Sequence, residues 1–396
     1  MWISGTPNVK LSYFISSTSQ SNYTLPFPLN QPKCYFFFSA RYALYHAIRI
    51  LGLKEGDHVL LPSYCCGTEI DPFIENKMFL HFYKINENLT IDLNDIYLKL
   101  KKNQNIKALL VTHYLGFPQP MREITSICRE KGILLIEDCA HAFLSNNSYN
   151  HIPLGSYGNG AVFSLRKTLP IPDGAVLYIN SQRWQPKYSL QLQGPNTFAI
   201  LFRLMELLKN TTTYPKNEKM QRLAAKCFFQ SRWFFIALNK YIKKGTNALI
   251  NPNSYEFHHQ AIRWSISKIS KKALINQNWQ MIFNKRRDNF IYLLNKLTDF
   301  PEIKLVFEKL PKGVCPLLFP ILVKNRKNFH HALLSKGVDN HPWWNYFHFQ
   351  VPWEKFPTSI YLKKKLLGLP IHQDLNEIHM EIIYTTIKEI LQNAKS

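Results

Sequence analysis

The sequence predicts an α/β protein with a mainly parallel central sheet, and three stretches carry that expectation. Lys107 to Gly116 (Lys-Ala-Leu-Leu-Val-Thr-His-Tyr-Leu-Gly) is an apolar run of strand length that ends in polar residues. Pro118 to Lys131 then has helical spacing, and Ile133-Leu134-Leu135-Ile136-Glu137-Asp138 is a second apolar run closing on a carboxylate pair. Strand, helix, strand in that order calls for parallel strands joined by a right-handed crossover, and runs apolar on both faces suit inner strands. Asp138 is thereby expected at the C-terminal end of its strand, where open α/β sheets place ligands. Past Gly155 and Gly158, Ala161-Val162-Phe163-Ser164 reads as a third strand running into Lys167 and a Pro-rich turn. An acid and a lysine, each closing a strand, are expected to face each other across a bound group.

At 396 residues the chain is long enough for one to three domains with a large core. A hydrophobic fraction of 46% with 19% charged residues is that of an ordinary globular protein. No run approaches the length a membrane span requires, and the N-terminus lacks the basic-then-apolar order of a signal peptide. Seven cysteines without zinc-type spacing argue for reduced thiols in a cytoplasm, with Cys65-Cys66 a packing feature. The net charge of +23 stands out. It favours anionic partners, or else reflects a composition rich in Lys, Asn and Ile. No Gly-x-Gly-x-x-Gly or P-loop pattern is present, which removes dinucleotide and nucleoside-triphosphate readings.

Along the chain, residues 1–35 are irregular and rich in Ser, Asn and Pro. Phe36 to Ile48 shifts to helical spacing, with Ser39 placed to cap the helix. A turn at Gly56-Asp57 leads into a short strand ending at Pro62, and Tyr64 follows it. Residues 203 to 244 hold ten Lys plus Arg against two Glu, interleaved with Phe-Phe and Trp-Phe-Phe clusters. Two readings stand there: a helical insertion with aromatic core and solvated lysines, or a cationic surface for acidic lipid or a polyanion. A helix headed by Arg286-Arg287, a strand over Pro316 to Val323, a helix over Asn328 to Lys336 and a terminal amphipathic helix complete the sequence.

Several of these segments resemble the DegT/DnrJ/EryC1/StrS family of pyridoxal-phosphate (PLP) sugar aminotransferases. They are Glu137-Asp138-Cys139-Ala140-His141-Ala142, Gly155-Ser156-Tyr157-Gly158, and Phe163-Ser164-Leu165 before Lys167. Leu51-Gly52 through Gly56-Asp57 to Pro62-Ser63 matches a further family phrase, as does Leu366-Leu367-Gly368-Leu369-Pro370-Ile371-His372-Gln373-Asp374-Leu375. The resemblance implies the PLP-dependent transferase fold of type I (aspartate aminotransferase-like), with a mainly parallel large domain and a smaller α+β C-terminal domain. The divisions expected are an N-terminal arm over 1–35 that packs on the small domain and a large domain over 36–250 with a basic helical insertion at about 190–250. A linking helix and the small domain would fill 251–396.

PLP needs a lysine amine to hold its aldehyde and a carboxylate to keep its pyridine nitrogen protonated. By resemblance these are Lys167 and Asp138, with His141 near the ring's 3′-oxygen and Ser164 near the phosphate. The helix N-terminus at Ser39-Ala40-Arg41 would hold the phosphate through its free N–H groups and dipole. For Arg41, direct charge and a solvent-facing position both stand; for Tyr64, stacking on the ring and a core position both stand. The implied reaction moves an amino group from an amino-acid donor, commonly glutamate, to a keto group of a nucleotide-linked sugar, in a cytoplasmic homodimer. Arg263, Arg286, Arg287 and His341 are candidate contacts for the sugar's diphosphate by position in the family pattern. No metal and no specific nucleic-acid partner are expected.

The chain departs from the family pattern in two places. Ser164 and Lys167 are three positions apart where five is common, and Pro-Ile-Pro-Asp-Gly replaces the usual Gly-Glu-Gly-Gly after the lysine. These departures keep two alternatives open. One is a sugar dehydratase or other non-aminotransferase on the same fold. The other is a degenerate member that binds polyanions or a membrane surface through its basic face.

Overall fold

Two sheets organise the computed structural model, which describes residues 1–10, 13, 24–147, 149–180, 188–212 and 256–393. The larger sheet holds β1 (Cys34–Phe37), β2 (His58–Pro62), β3 (Phe79–Tyr83), β4 (Ile106–Thr112), β5 (Leu134–Asp138), β6 (Gly160–Ser164) and β7 (Ala175–Ile179). Their spatial order is β1-β7-β6-β5-β4-β2-β3. Strands β6, β5, β4, β2 and β3 run parallel, and β7 and β1 close one edge antiparallel. The inner strands read as apolar runs because both faces are covered. Leu109, Leu110, Val111, Leu135 and Ile136 are all buried, each contributing about 1.5–3 kcal/mol of transfer free energy.

On this sheet pack α1 (Ala40–Ile50), α2 (Asp71–Glu75), α3 (Leu93–Lys102), α4 (Met121–Lys131), the single turn α5 (Leu165–Thr168) and α6 (Thr197–Thr212). The crossover expected between the two central strands is α4, which stops where Gly132 takes the left-handed conformation (φ 64°) that a C-terminal cap requires. Two expectations need correction. Phe36 and Phe37 belong to the edge strand β1 rather than to the helical run; Ser39 stands at the N-cap of α1 as expected, although its side chain makes no capping bond. Lys167 does not close a strand; β6 ends at Ser164 and the lysine sits in α5.

The smaller sheet is antiparallel throughout, ordered β10-β11-β9-β8. It comprises β8 (Ile303–Leu305), β9 (Phe319–Val323), β10 (His341–Pro342) and β11 (Leu366–Leu369). Preceding it, α7 (Lys268–Ile275) packs Ala273 and Leu274 with Phe163 and Val176 of the large sheet, whereas α8 (Trp279–Leu297), α9 (Arg326–Ser335), α10 (Pro357–Lys365) and α11 (Glu377–Asn393) lie around the small one. Residues at the N-terminus join this unit: Ile3 bridges Val338, and Gly5 donates its N–H to Asp339 Oδ2 at 3.0 Å. One apolar cluster spans both sheets, from Leu60 and Leu109 to Phe319 and Leu367. Among the described residues no helix is long and apolar enough to cross a membrane. Of the basic stretch, α6 is described; residues 213–250 lie outside the described residues.

Candidate active site

The C-terminal ends of β5 and β6 lie side by side, with Asp138 in register with Val162. A cavity of about 340 Å³ opens there. Seven of the residues singled out in the sequence border it: Ser39, Ala40, Arg41, Asp138, His141, Ser164 and Lys167.

Glu137 and Asp138 have opposite fates, because successive side chains of a strand point to opposite faces. Glu137 turns into a nest of donors. Its Oε1 accepts from the N–H groups of Tyr157 (2.8 Å) and Gly158 (2.6 Å), and its Oε2 from Gly155 (2.9 Å). His113 Nε2 lies 2.9 Å from Oε2 as well. The glycines permit this approach: a Cβ on Gly158 would meet Leu135 O at 2.6 Å, and Gly155 has φ +98°. Cys139 completes a buried trio with His113 and Glu137, but the carboxylate there is already engaged by four donors and offers a metal no open position.

Asp138 borders the cavity instead. Its Oδ1 accepts from Ala140 N–H at 2.9 Å, and Thr112 Oγ1 stands 3.5 Å from Oδ2, the outer limit of a hydrogen bond. Burial, followed by the nearby Glu69 carboxylate, pushes Asp138 up to about 6, and Lys167 opposes that shift. The acid is thus short of a cationic partner.

Lys167 is delivered by α5, whose Leu165 and Thr168 are buried. Its Nζ lies 2.8 Å from His141 Nε2. On the other side of that ring, Nδ1 accepts from Leu115 N–H at 3.3 Å. Burial drives His141 well below the ordinary histidine range, and Lys167 adds to it, so the imidazole is neutral.

Tyr64 resolves to the core position. It is fully buried, its hydroxyl donates to Trp343 O at 2.9 Å, and its ring packs on Trp344 at 5.1 Å. Trp344 is the residue that borders the cavity, 5.5 Å from the His141 ring. Cys66 and Glu69 also border the cavity, in line with the expectation that the residues from Tyr64 to Glu69 lie near the cofactor face, whereas sequence reasoning missed Trp344, Arg166 and Arg203. Glu69 grips the turn after β2: Oε1 accepts from Cys66 N–H at 2.9 Å and Oε2 from the Cys66 thiol at 2.8 Å. Burial, with Glu69 next, pushes that thiol up to about 12. Lys363 ties the same turn to the Trp344 segment by donating to Cys65 O (2.7 Å) and Tyr346 O (2.6 Å).

Of the four diphosphate candidates, Arg286 and His341 border one cavity, and Arg263 and Arg287 do not border it. Arg286 is buried with its N–H groups committed to Gln373 Oε1, Pro316 O, Leu317 O and Thr168 O, which makes it a brace between the two sheets. Arg287 donates to Pro311 O and Val314 O. Arg263 is exposed and borders a different cavity with His46 and Tyr188. His341 borders a second cavity of about 440 Å³ beside Lys167, with Nε2 3.2 Å from Gly5 O.

Residues 30–227 match the profile of the DegT/DnrJ/EryC1/StrS aminotransferase family, half of the chain. The chain belongs to that family. Over 142 residues it is 29% identical to a GDP-perosamine synthase of Vibrio cholerae, covering 35% of this chain and 38% of that protein. Over 146 residues it is 32% identical to a dTDP-4-dehydro-2,3,6-trideoxy-D-glucose 4-aminotransferase of Saccharopolyspora spinosa, covering 36% of this chain and 37% of that one. The matched stretch therefore spans well under half the length of these relatives. Likeness of fold reaches much further. The Helicobacter pylori aminotransferase of pseudoaminic acid biosynthesis superposes with a TM-score of 0.67 over 99% of both chains at 14% identity. A Brucella abortus member of the family superposes with a TM-score of 0.62 over 90% of this chain and 85% of that one, at 16% identity. The family member described here has the type I fold of PLP-dependent transferases, an α/β fold with a mostly parallel central sheet.

Proposed function

We propose that this family member is a PLP-dependent aminotransferase that moves an amino group from an amino acid, glutamate in the first instance, to a keto group of a nucleotide-linked sugar. The observation that carries the reading is Asp138: a half-buried carboxylate, pushed up to about 6, at the wall of a cavity that also receives a lysine amine. A protonated pyridine nitrogen is a cation of the kind that such an acid is short of, so the residues present fit the cofactor.

When bound, PLP supplies an electron sink for the charge that develops at the donor's α-carbon. Asp138 would supply the negative charge that keeps the ring nitrogen protonated. Lys167 would hold the cofactor's aldehyde, and its Nζ, when free, would move a proton as base and then acid. His141, neutral and 2.8 Å from Nζ, places no second positive charge beside that amine. Ser39 and Ser164 border the cavity with the first turn of α1, where the helix dipole favours the phosphate. The neighbouring cavity beside Lys167, reached past His341, is the place we assign to the sugar.

The names of the relatives support a nucleotide-linked sugar as the acceptor. A cytoplasmic setting is supported by the free cysteines at 34, 65, 66, 128, 139 and 315. A homodimer is the proposed working unit, and Phe347 and Phe349, exposed on the segment that follows Trp344, give it an apolar surface beside the site. Sedimentation at assay concentration checks this; an active monomer contradicts it.

The test of the reaction is product analysis with a nucleotide-linked keto-sugar, glutamate and added PLP. Amino-sugar and 2-oxoglutarate are expected in equal amounts. A dehydrated sugar formed without glutamate consumption would move the chain to the dehydratase reading.

A further inference from the structure

The cavity of about 440 Å³ beside Lys167 has a wall that comes from neither sheet. Gly5, Thr6 and Pro7 of the N-terminal arm border it, and none of the three borders the cavity that holds Asp138. The small unit holds this arm by its backbone. Ile3 donates its N–H to Gly337 O at 2.8 Å and accepts from Asp339 N–H at 2.9 Å. Two Asp–His pairs then grip the residues that follow. Asp339 Oδ2 accepts from Gly5 N–H at 3.0 Å, and His341 Nε2 lies 3.2 Å from Gly5 O. His372 Nε2 lies 3.0 Å from Ser4 O, and Asp374 Oδ2 accepts from Asn8 N–H at 2.9 Å. A carbonyl only accepts, so each histidine donates from Nε2. Burial pushes His372 down to about 4, which leaves the ring neutral, and its Nδ1 accepts from Asp374 N–H at 3.4 Å. Lys10 adds an ion pair with Asp374 Oδ1 at 2.7 Å. The close fit needs a glycine: a Cβ on Gly5 would meet Asp339 Oδ2 at 2.7 Å and His341 Nε2 at 2.8 Å.

We propose that the Gly5-Thr6-Pro7 turn selects the acceptor: it is the wall that reads the sugar ring, and Thr6 is its specificity-determining residue. The proposal rests on the assignment of this cavity to the sugar of a nucleotide-linked substrate. Position is the first support. The turn reaches only the cavity assigned to the sugar, so a change in it acts on the acceptor and not on the cofactor. Chemistry is the second. The turn brings no charge, only a buried glycine, a half-buried threonine and a buried proline. The large unit contributes Arg166 and Lys167 to the same lining. A diphosphate is drawn to those cations, whereas a sugar ring, with its hydroxyls and C–H faces, suits a neutral wall. Rigidity then makes the wall a filter. A backbone bonded at Ile3, Gly5 and Asn8 resists displacement by a ring with the wrong substituent. Such a ring loses contact or leaves a hydroxyl unpaired.

The experiment titrates the full chain, with and without PLP, using GDP-, UDP- and dTDP-linked keto-hexoses and the bare nucleoside diphosphates. Tryptophan fluorescence is the readout, since Trp343 borders the cavity. In wild type the sugar should add affinity over the bare diphosphate. Thr6→Tyr, which fills the cavity, should cut affinity for the linked sugar by about tenfold or more, the scale of a misfitted group in a pocket. Affinity for the bare diphosphate should stay constant. Thr6→Val, which removes only the hydroxyl, should cost about three- to tenfold, unequally across the sugars. Thr6→Ser should stay close to wild type. Should Thr6→Tyr fail to fold, Gly5→Ala, which presses the turn off Asp339, should give the same selective loss. During turnover, KM for the keto-sugar should rise in Thr6→Tyr more than kcat falls. Equal losses for linked sugar and bare diphosphate in folded variants overturn the proposal, as does no loss for either. A wild type that gains nothing from the sugar overturns it too. Amino-sugar formed by wild type keeps the aminotransferase reading standing in each of those cases.

Discussion

Glu137 and Asp138 are neighbours in the chain, carry the same charged group and lie on the same strand, yet the molecule treats them differently. Four donors close around Glu137, so its charge is spent within the protein. Asp138 has one backbone N–H at normal distance and a cavity in front of it. A buried acid that is satisfied builds structure; one left short of partners on a cavity wall is held in reserve for a ligand. The difference comes from what each face of β5 meets. One face receives the glycine turn at 155–158, and the other receives Lys167 and His141 across the parallel β6.

Breaking the structural half should give the largest effect. Glu137→Ala leaves three N–H groups and His113 without their acceptor, at about 1–3 kcal/mol each. Denaturant titration should therefore show a loss of about 4 kcal/mol or more. Asp138→Asn should act in the opposite way. Turnover should fall about 10²–10³-fold, the scale for loss of a preorganised charge, while the cofactor-free chain unfolds no more easily than wild type. Unchanged catalysis in that variant would remove Asp138 from the site.

The pH dependence sharpens the contrast. Asp138 is raised in the folded chain to about 6, so its contribution to stability is complete below the ordinary aspartate value and is lost as pH rises through about 6. Cofactor-free wild type should lose ground to Asp138→Asn over that window, and bound PLP should close the gap. Melting curves of both forms from acid to neutral pH check the sign. The smallest effect concerns the surface. With a net charge of +23, attraction for a nucleotide-linked sugar is screened beyond a Debye length of about 8 Å at physiological salt. KM for the sugar should rise a few-fold with salt and kcat should change little. A preference for uncharged sugars without salt dependence would remove the nucleotide from the substrate and leave amino transfer intact.

What the sequence disclosed, and what it hid, follows from how local each signal is. Asp138, His141, Ser164 and Lys167 sit within thirty positions, at or just past the ends of two strands whose apolar runs are plain, so their meeting was legible. Trp344 reaches the cavity from the far unit, and only the tertiary contacts through Tyr64 and Lys363 bring it there. Arg203 was counted among a run of surface-like cations, and nothing in that run marks it as buried. Arg286 misled in the reverse direction. Its charge suggested a phosphate, but the fork is filled by three carbonyls and a glutamine that the fold assembles from distant segments. β1 was hidden because Cys34 to Phe37 abuts a helix and pairs only with the antiparallel edge strand β7.

One measurement tests the central claim most directly: loading with PLP, reduction with borohydride, and peptide mapping of the cofactor label. The expected label falls on Lys167 and vanishes in Lys167→Ala, with turnover. A label on another lysine, or none on a folded wild-type chain, would contradict the account.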